Sequence, residues 1–152
     1  MDRASITHTL IVPSATRHLI KVRKFVVESA RQAGVNETHI EALQLAVDEA
    51  CANIIEHAYQ GNSANKVNLT MTIEATRVIV RIRDHGRSFD RRAYQRPDVV
   101  ELSRNRKSGG LGVDIIRRLM DHVEYFSEDG VNEITLIKLL RSDPSSSISS
   151  IE

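Results

Sequence analysis

Between residues 66 and 84 the chain alternates twice. In "KVNLTMTIEAT" Val67, Leu69, Met71 and Ile73 take every second place with polar residues between them, and "RVIVRIRDHG" repeats the rhythm with Val78, Val80 and Ile82. A period of two puts those side chains on one face of a strand, and the short link predicts a hairpin. A sheet that is apolar on one face must be covered there, so the rest of the chain has to supply a second layer. Helical spacing provides it. "ATRHLIKVRKFVVESARQAG" carries Leu19, Val22, Val26 and Val27 on one side, with Ser14 as its expected cap and Gly34 as its stop. Asn36 is the expected cap of a second helix over residues 37–59, which ends before the turn-rich "QGNSAN". "SITHTLIVP" reads as a first strand, "SGGLGVDIIRRLMDHV" as a glycine-rich turn running into a helix, and "VEYFSED" with "VNEITLIKLL" as a closing hairpin around Gly130.

The order β-α-α-β-β-loop-α-β-β predicts an α+β fold: a two-layer α/β sandwich with a mixed, mostly antiparallel sheet and helices on one face. It disfavours a dinucleotide-binding fold, in which the glycines would follow the first strand. The 152 residues suit one domain, 1–140, followed by an expected disordered Ser-rich tail, 141–152. A net charge of +1 and the absence of Trp speak against tight non-specific nucleic-acid binding. The lone Cys51 cannot form an internal disulfide, which points to a reducing compartment. No signal-peptide pattern opens the chain, and no stretch nears the roughly 18 apolar residues of a membrane span. The expectation is a cytoplasmic domain with no direct nucleic-acid or membrane partner.

Three segments carry chemistry. In "AVDEACANIIEHAY" the apolar arc of Leu43, Val47, Ala50, Cys51, Ile54 and Ala58 leaves Glu49, Asn53 and His57 recurring every four residues. A polar helix face is by itself only a solvent face. Asn, however, is a mediocre helix former, its amide oxygen is a hard ligand suited to Mg²⁺, and a carboxylate one turn away can accept a proton. In "IRDHGRSFD" Asp84 continues the inward parity of Val78, Val80 and Ile82. A buried carboxylate needs a donor, which the exocyclic amine of a purine would be, and Gly86 would let backbone approach a flat ring. The alternative is a turn in which Asp84 bonds nearby backbone N–H groups. In "KSGGLG", residues 107–112, glycines open a helix whose N-terminus favours anions, behind the basic residues Arg104, Arg106 and Lys107. Residues 87–108, also rich in arginine, are too long for a routine connection and read as a functional loop. The glycines lack the spacing of a P-loop. Together the three segments supply a Mg²⁺ ligand with a base, an adenine anchor and a phosphate cradle.

In this order the chain resembles the GHKL (Bergerat-fold) ATPase superfamily, and within it the anti-sigma-factor serine-protein kinases of bacterial partner-switching systems. The helix motif E-x-x-x-N-x-x-x-H is met by Glu49, Asn53 and His57, the D-x-G-x-x-F-D form by "DHGRSFD", Asp84 to Asp90, and the last glycine box by "SGGLGVDIIRRLMD". The likeness runs over roughly residues 6–140 and implies specific roles. Asn53 would hold Mg²⁺ against the triphosphate and Glu49 would be the base on an incoming serine hydroxyl. Asp84 would contact the adenine amine with Gly86 beside the ring, while His57, Ser88 and Phe89 complete the nucleotide-binding set. Arg104, Lys107, Ser108, Gly109 and the backbone of Gly110, Leu111 and Gly112 would hold the phosphates. The implied activity is phosphoryl transfer from ATP to a serine of an anti-sigma-factor antagonist, with a sigma factor as second partner and a homodimer as the assembly. Ser88 stands where many superfamily members carry a second glycine. The short, arginine-rich lid fits the small kinases better than the chaperone or topoisomerase branches. A sensor histidine kinase is disfavoured, because only one helix precedes residue 37 and His18 holds no special position in it. Two other classes stay open: a nucleotide-binding interaction module without kinase activity, and an α+β interaction domain that takes no nucleotide.

Overall fold

The computed structural model describes residues 5–60, 62–88 and 110–140. Strands β1 (Ile6–Pro13), β2 (Lys66–Ile73), β3 (Arg77–Asp84), β4 (His122–Glu128) and β5 (Val131–Leu139) form one sheet in the order β1-β2-β3-β5-β4. Helices α1 (Leu19–Gln32), α2 (Glu37–Asn53) and α3 (Gly110–Leu119) complete the α+β fold. Every neighbouring pair of strands is antiparallel, so the expected mixed sheet is antiparallel throughout its described strands.

The alternation does what its period dictates. Val67, Leu69, Met71, Val78, Val80 and Ile82 are buried under the helices, as are Ile134 and Leu136 of β5. The opposite face carries polar side chains such as Thr70, Arg81 and Arg83, the last paired with Glu133 at 3.1 Å. Helix α2 lies between α1 and α3 and packs against both. Its apolar arc of Leu43, Val47, Ala50 and Cys51 is fully buried. Burial raises the Cys51 thiol far above its ordinary range, so the side chain serves the core as a small apolar group.

The punctuation was partly legible. Asn36 caps α2 as expected, its side-chain oxygen accepting the His39 N–H at 2.9 Å. Helix α1 closes at Gly34, where the N–H groups of Gly34 and Val35 bond back to Arg31 and Ala30, both at 3.1 Å. Ser14 does not cap α1. It is fully buried and its hydroxyl donates to the Asn62 carbonyl at 2.5 Å, while a 3-10 turn over Thr16–His18 comes between it and the helix. The second helix changes its winding at its end: Ile54–Ala58 form a π-helical turn, and the Tyr59 N–H reaches back to the Ile54 carbonyl at 3.0 Å. The Ser-rich tail, 141–152, lies outside the described residues.

Candidate functional site

The π-helical turn shifts the phase of the polar residues on this helix. Glu49 and Asn53 keep their spacing of one α-helical turn; Asn53 is 6% exposed and Glu49 half-buried. His57 falls inside the wider turn and is exposed. Single π turns interrupting α-helices are concentrated at functional sites. The Asn53 side-chain nitrogen is buried and finds no hydrogen-bond partner. An unpaired buried donor is costly, and an acceptor such as a phosphate oxygen would satisfy it; the same carboxamide carries an oxygen of the kind that ligates Mg²⁺. Among the described residues no group of three or more His, Cys, Asp or Glu could hold a metal. A Mg²⁺ held largely through phosphate oxygens needs no such cage.

The end of β3 meets the end of that helix. The Arg87 N–H donates to the Ala58 carbonyl at 2.7 Å. The His85 N–H donates to the Tyr59 hydroxyl at 2.8 Å, and that hydroxyl donates to the Lys66 carbonyl at 2.8 Å. Gly86 sits in this junction. A Cβ there would lie 2.5 Å from the Ala58 oxygen and 2.8 Å from the Tyr59 ring, closer than real Cβ atoms come. Glycine is thus needed for the strand to approach the helix backbone, a demand separate from the approach to a ring expected from the sequence.

Asp84 is buried at 1% exposure on the covered face, as its parity predicts. Two donors meet one of its oxygens. The Gly86 N–H and the Asn132 side-chain amide each donate to Oδ1 at 2.9 Å. The first of these is the turn weighed as an alternative from the sequence, so Asp84 closes a local turn and still keeps Oδ2 without a donor among the described residues. Burial pushes its carboxyl above the ordinary range, opposed by the bonds from Asn132 and Gly86 and by the nearby His85.

Asn132 and Tyr59 escaped the sequence reading. Tyr59 carried no periodic signal. Asn132 did carry one, because it shares the parity of Ile134 and Leu136 on β5, and a polar residue on a covered strand face is as anomalous as Asp84. Of the other expected site residues, Ser88 is exposed and α3 begins at Gly110. The side chain of Leu111, together with Phe89, Arg104, Lys107, Ser108 and Gly109, lies outside the described residues, and the backbone of Gly110 and Gly112 belongs to α3. The structure therefore joins the first two segments and shows the third only as a helix packed on α2.

Residues 12–138 match the family described as the histidine kinase-like ATPase domain. The chain is 31% identical over 130 residues to the serine-protein kinase RsbW of Listeria monocytogenes serovar 1/2a, covering 83% of each chain. It is 31% identical over 141 residues to the RsbW of Halalkalibacterium halodurans, covering 90% of this chain and 85% of that one. The RsbW of Staphylococcus epidermidis is 31% identical over 140 residues, covering 87% and 86%. Among solved structures, the RsbU and RsbW domains of a Mycobacterium tuberculosis protein share the fold. Their TM-score is 0.62 at 16% identity, over 90% of this chain and 33% of that chain.

Proposed function

The chain belongs to the histidine kinase-like ATPase domain family and groups with the serine-protein kinases RsbW, and from that membership we propose that it is an ATP-dependent protein-serine kinase and anti-sigma factor. Its substrate is a serine of an anti-sigma-factor antagonist, and in its other role it sequesters a sigma factor as a cytoplasmic homodimer. Residues 1–140 form the kinase domain. One observation carries the reading: a buried carboxylate, Asp84, whose Oδ2 meets no donor among the described residues, is bonded through its loop to the end of the helix that bears the unpaired Asn53 amide nitrogen.

In this reading Asp84 Oδ2 accepts the amine of adenine, with Gly86, Ser88, Phe89 and His57 around the base and sugar. Asn53 would hold Mg²⁺ through its amide oxygen, and the ion would supply charge neutralisation at the phosphates. Arg104, Lys107, Ser108 and Gly109, with the backbone of Gly110, Leu111 and Gly112, hold the phosphates at a helix start. Glu49 takes the proton from the serine hydroxyl as its oxygen bonds to the γ-phosphorus and the bond to the bridging oxygen of ADP breaks. Such transfer is chiefly positioning and charge neutralisation.

Incubation with Mg·ATP and the cognate antagonist should give phosphoserine on the antagonist and ADP in equal amounts. Binding of ATP with no labelled antagonist would reduce the protein to a nucleotide-dependent interaction module. A missing thermal shift with Mg·ATP would remove the nucleotide altogether. At about 100 times Kd, linkage gives roughly 2.7 kcal/mol of stabilisation.

A further inference from the structure

Asp84 and Asn132 are directly opposite each other across the β3–β5 pairing, and both are 1% exposed. Every polar group of the Asn132 side chain is occupied. Its amide nitrogen donates to Asp84 Oδ1 and to the Gly86 carbonyl, both at 2.9 Å. Its oxygen accepts from the Ser127 hydroxyl at 2.7 Å. Two acceptors on one side and a donor on the other fix the orientation of the amide. With the Gly86 N–H also on Oδ1, two donors hold that oxygen, and Oδ2 is left as an acceptor without a donor among the described residues.

We propose that Asn132 is a positioning residue for Asp84 that sets base selectivity: by occupying one carboxylate oxygen and leaving the other as an acceptor, it commits the pocket to a purine with a 6-amino group and rejects a 6-oxo purine. This rests on the proposed reading that Asp84 is the base anchor. An amine at position 6 donates to Oδ2, whereas an oxo group would set lone pairs against a carboxylate. Without the amide, Asp84 keeps only the Gly86 N–H on Oδ1 and is held less firmly, and its carboxyl is easier to protonate, because the bond from Asn132 is one of the groups opposing the effect of burial. A protonated Asp84 could donate to a 6-oxo group, so selectivity falls even where binding survives.

The test compares Mg·ATP with Mg·ITP, which differ at position 6 of the base, by titration calorimetry on the full chain. Asn132→Val and Asn132→Thr have nearly the same shape, both suit a strand, and differ in the hydroxyl that can donate to Asp84. In Asn132→Val the ATP-over-ITP preference should fall about tenfold or more, the worth of one hydrogen bond to a charged group, while Asn132→Thr keeps most of it. Ser127→Ala, a change at an exposed position, should lower the same ratio more mildly and guards against a valine variant that does not fold. A wild-type ratio in every folded variant overturns the proposal while ATP binding, and with it the site, stands. A wild-type protein that binds neither nucleotide overturns the proposal together with the reading beneath it.

Discussion

Replacing Glu49 by alanine should lower phosphoserine formation by about 10²–10⁴-fold, the usual contribution of a positioned general base, and leave Mg·ATP binding near that of the wild type. Glu49 precedes the buried Asn53 by one helical turn and is itself only half-buried. Alanine is a better helix former than glutamate, so α2 should persist and the melting temperature should change little. Glu49→Gln sharpens the result, because it keeps the size and hydrogen-bonding reach of the side chain and removes only the proton acceptor. Single-turnover transfer to the antagonist, measured beside nucleotide titration, separates chemistry from binding. Alanine and glutamine variants as active as the wild type would show that another group accepts the proton. Loss of nucleotide along with activity would make Glu49 a binding residue instead.

Gly86→Ala should be the most disruptive small substitution in the site. Its added methyl would meet Ala58 backbone atoms at 2.5 and 2.8 Å, and backbone cannot rotate aside as a flexible side chain can. Overpacking of this kind costs about 1–3 kcal/mol, which for a chain of this size lowers Tm by about 2–4 °C per kcal/mol. The relief would part the strand from the helix, stretch the bond from Arg87 N–H to the Ala58 carbonyl, and move Asp84 with it. Affinity for Mg·ATP should therefore fall by about tenfold or more, as expected when a hydrogen bond to a charged group is misaligned. Thermal melts with and without Mg·ATP read both effects. An alanine variant with unchanged Tm and unchanged nucleotide shift would mean that the junction is loose in solution.

Asp84 and Asn132 illustrate what the sequence could and could not convey. Asp84 was legible because burial follows parity on a strand: three apolar neighbours of the same parity announced that a carboxylate would be taken out of water. The same rule would have flagged Asn132, since it too interrupts a covered face, but its meaning depends on which strands are neighbours, and that is fixed by the β3–β5 pairing of distant segments. The helical spacing of Glu49 and Asn53 survived, whereas no composition signal marks the π turn in which His57 lies. Ser14 was misread for a related reason. It has the chemistry of a helix cap, and a tertiary contact with the Asn62 carbonyl claimed its hydroxyl. Gly86 was recognised as a place of close approach, but periodicity cannot say that the approaching group is the Ala58 backbone. Local chemistry was readable, and the partners that give it a role came from the fold.

Crystals grown with Mg²⁺ and a non-hydrolysable ATP analogue would decide whether these segments serve one nucleotide. The adenine amine should stand within hydrogen-bonding distance, about 2.7–3.2 Å, of Asp84 Oδ2, with the metal on the Asn53 carboxamide and the phosphates toward the start of α3. A nucleotide seated elsewhere, with Asp84 and Asn53 both out of its reach, would contradict that arrangement.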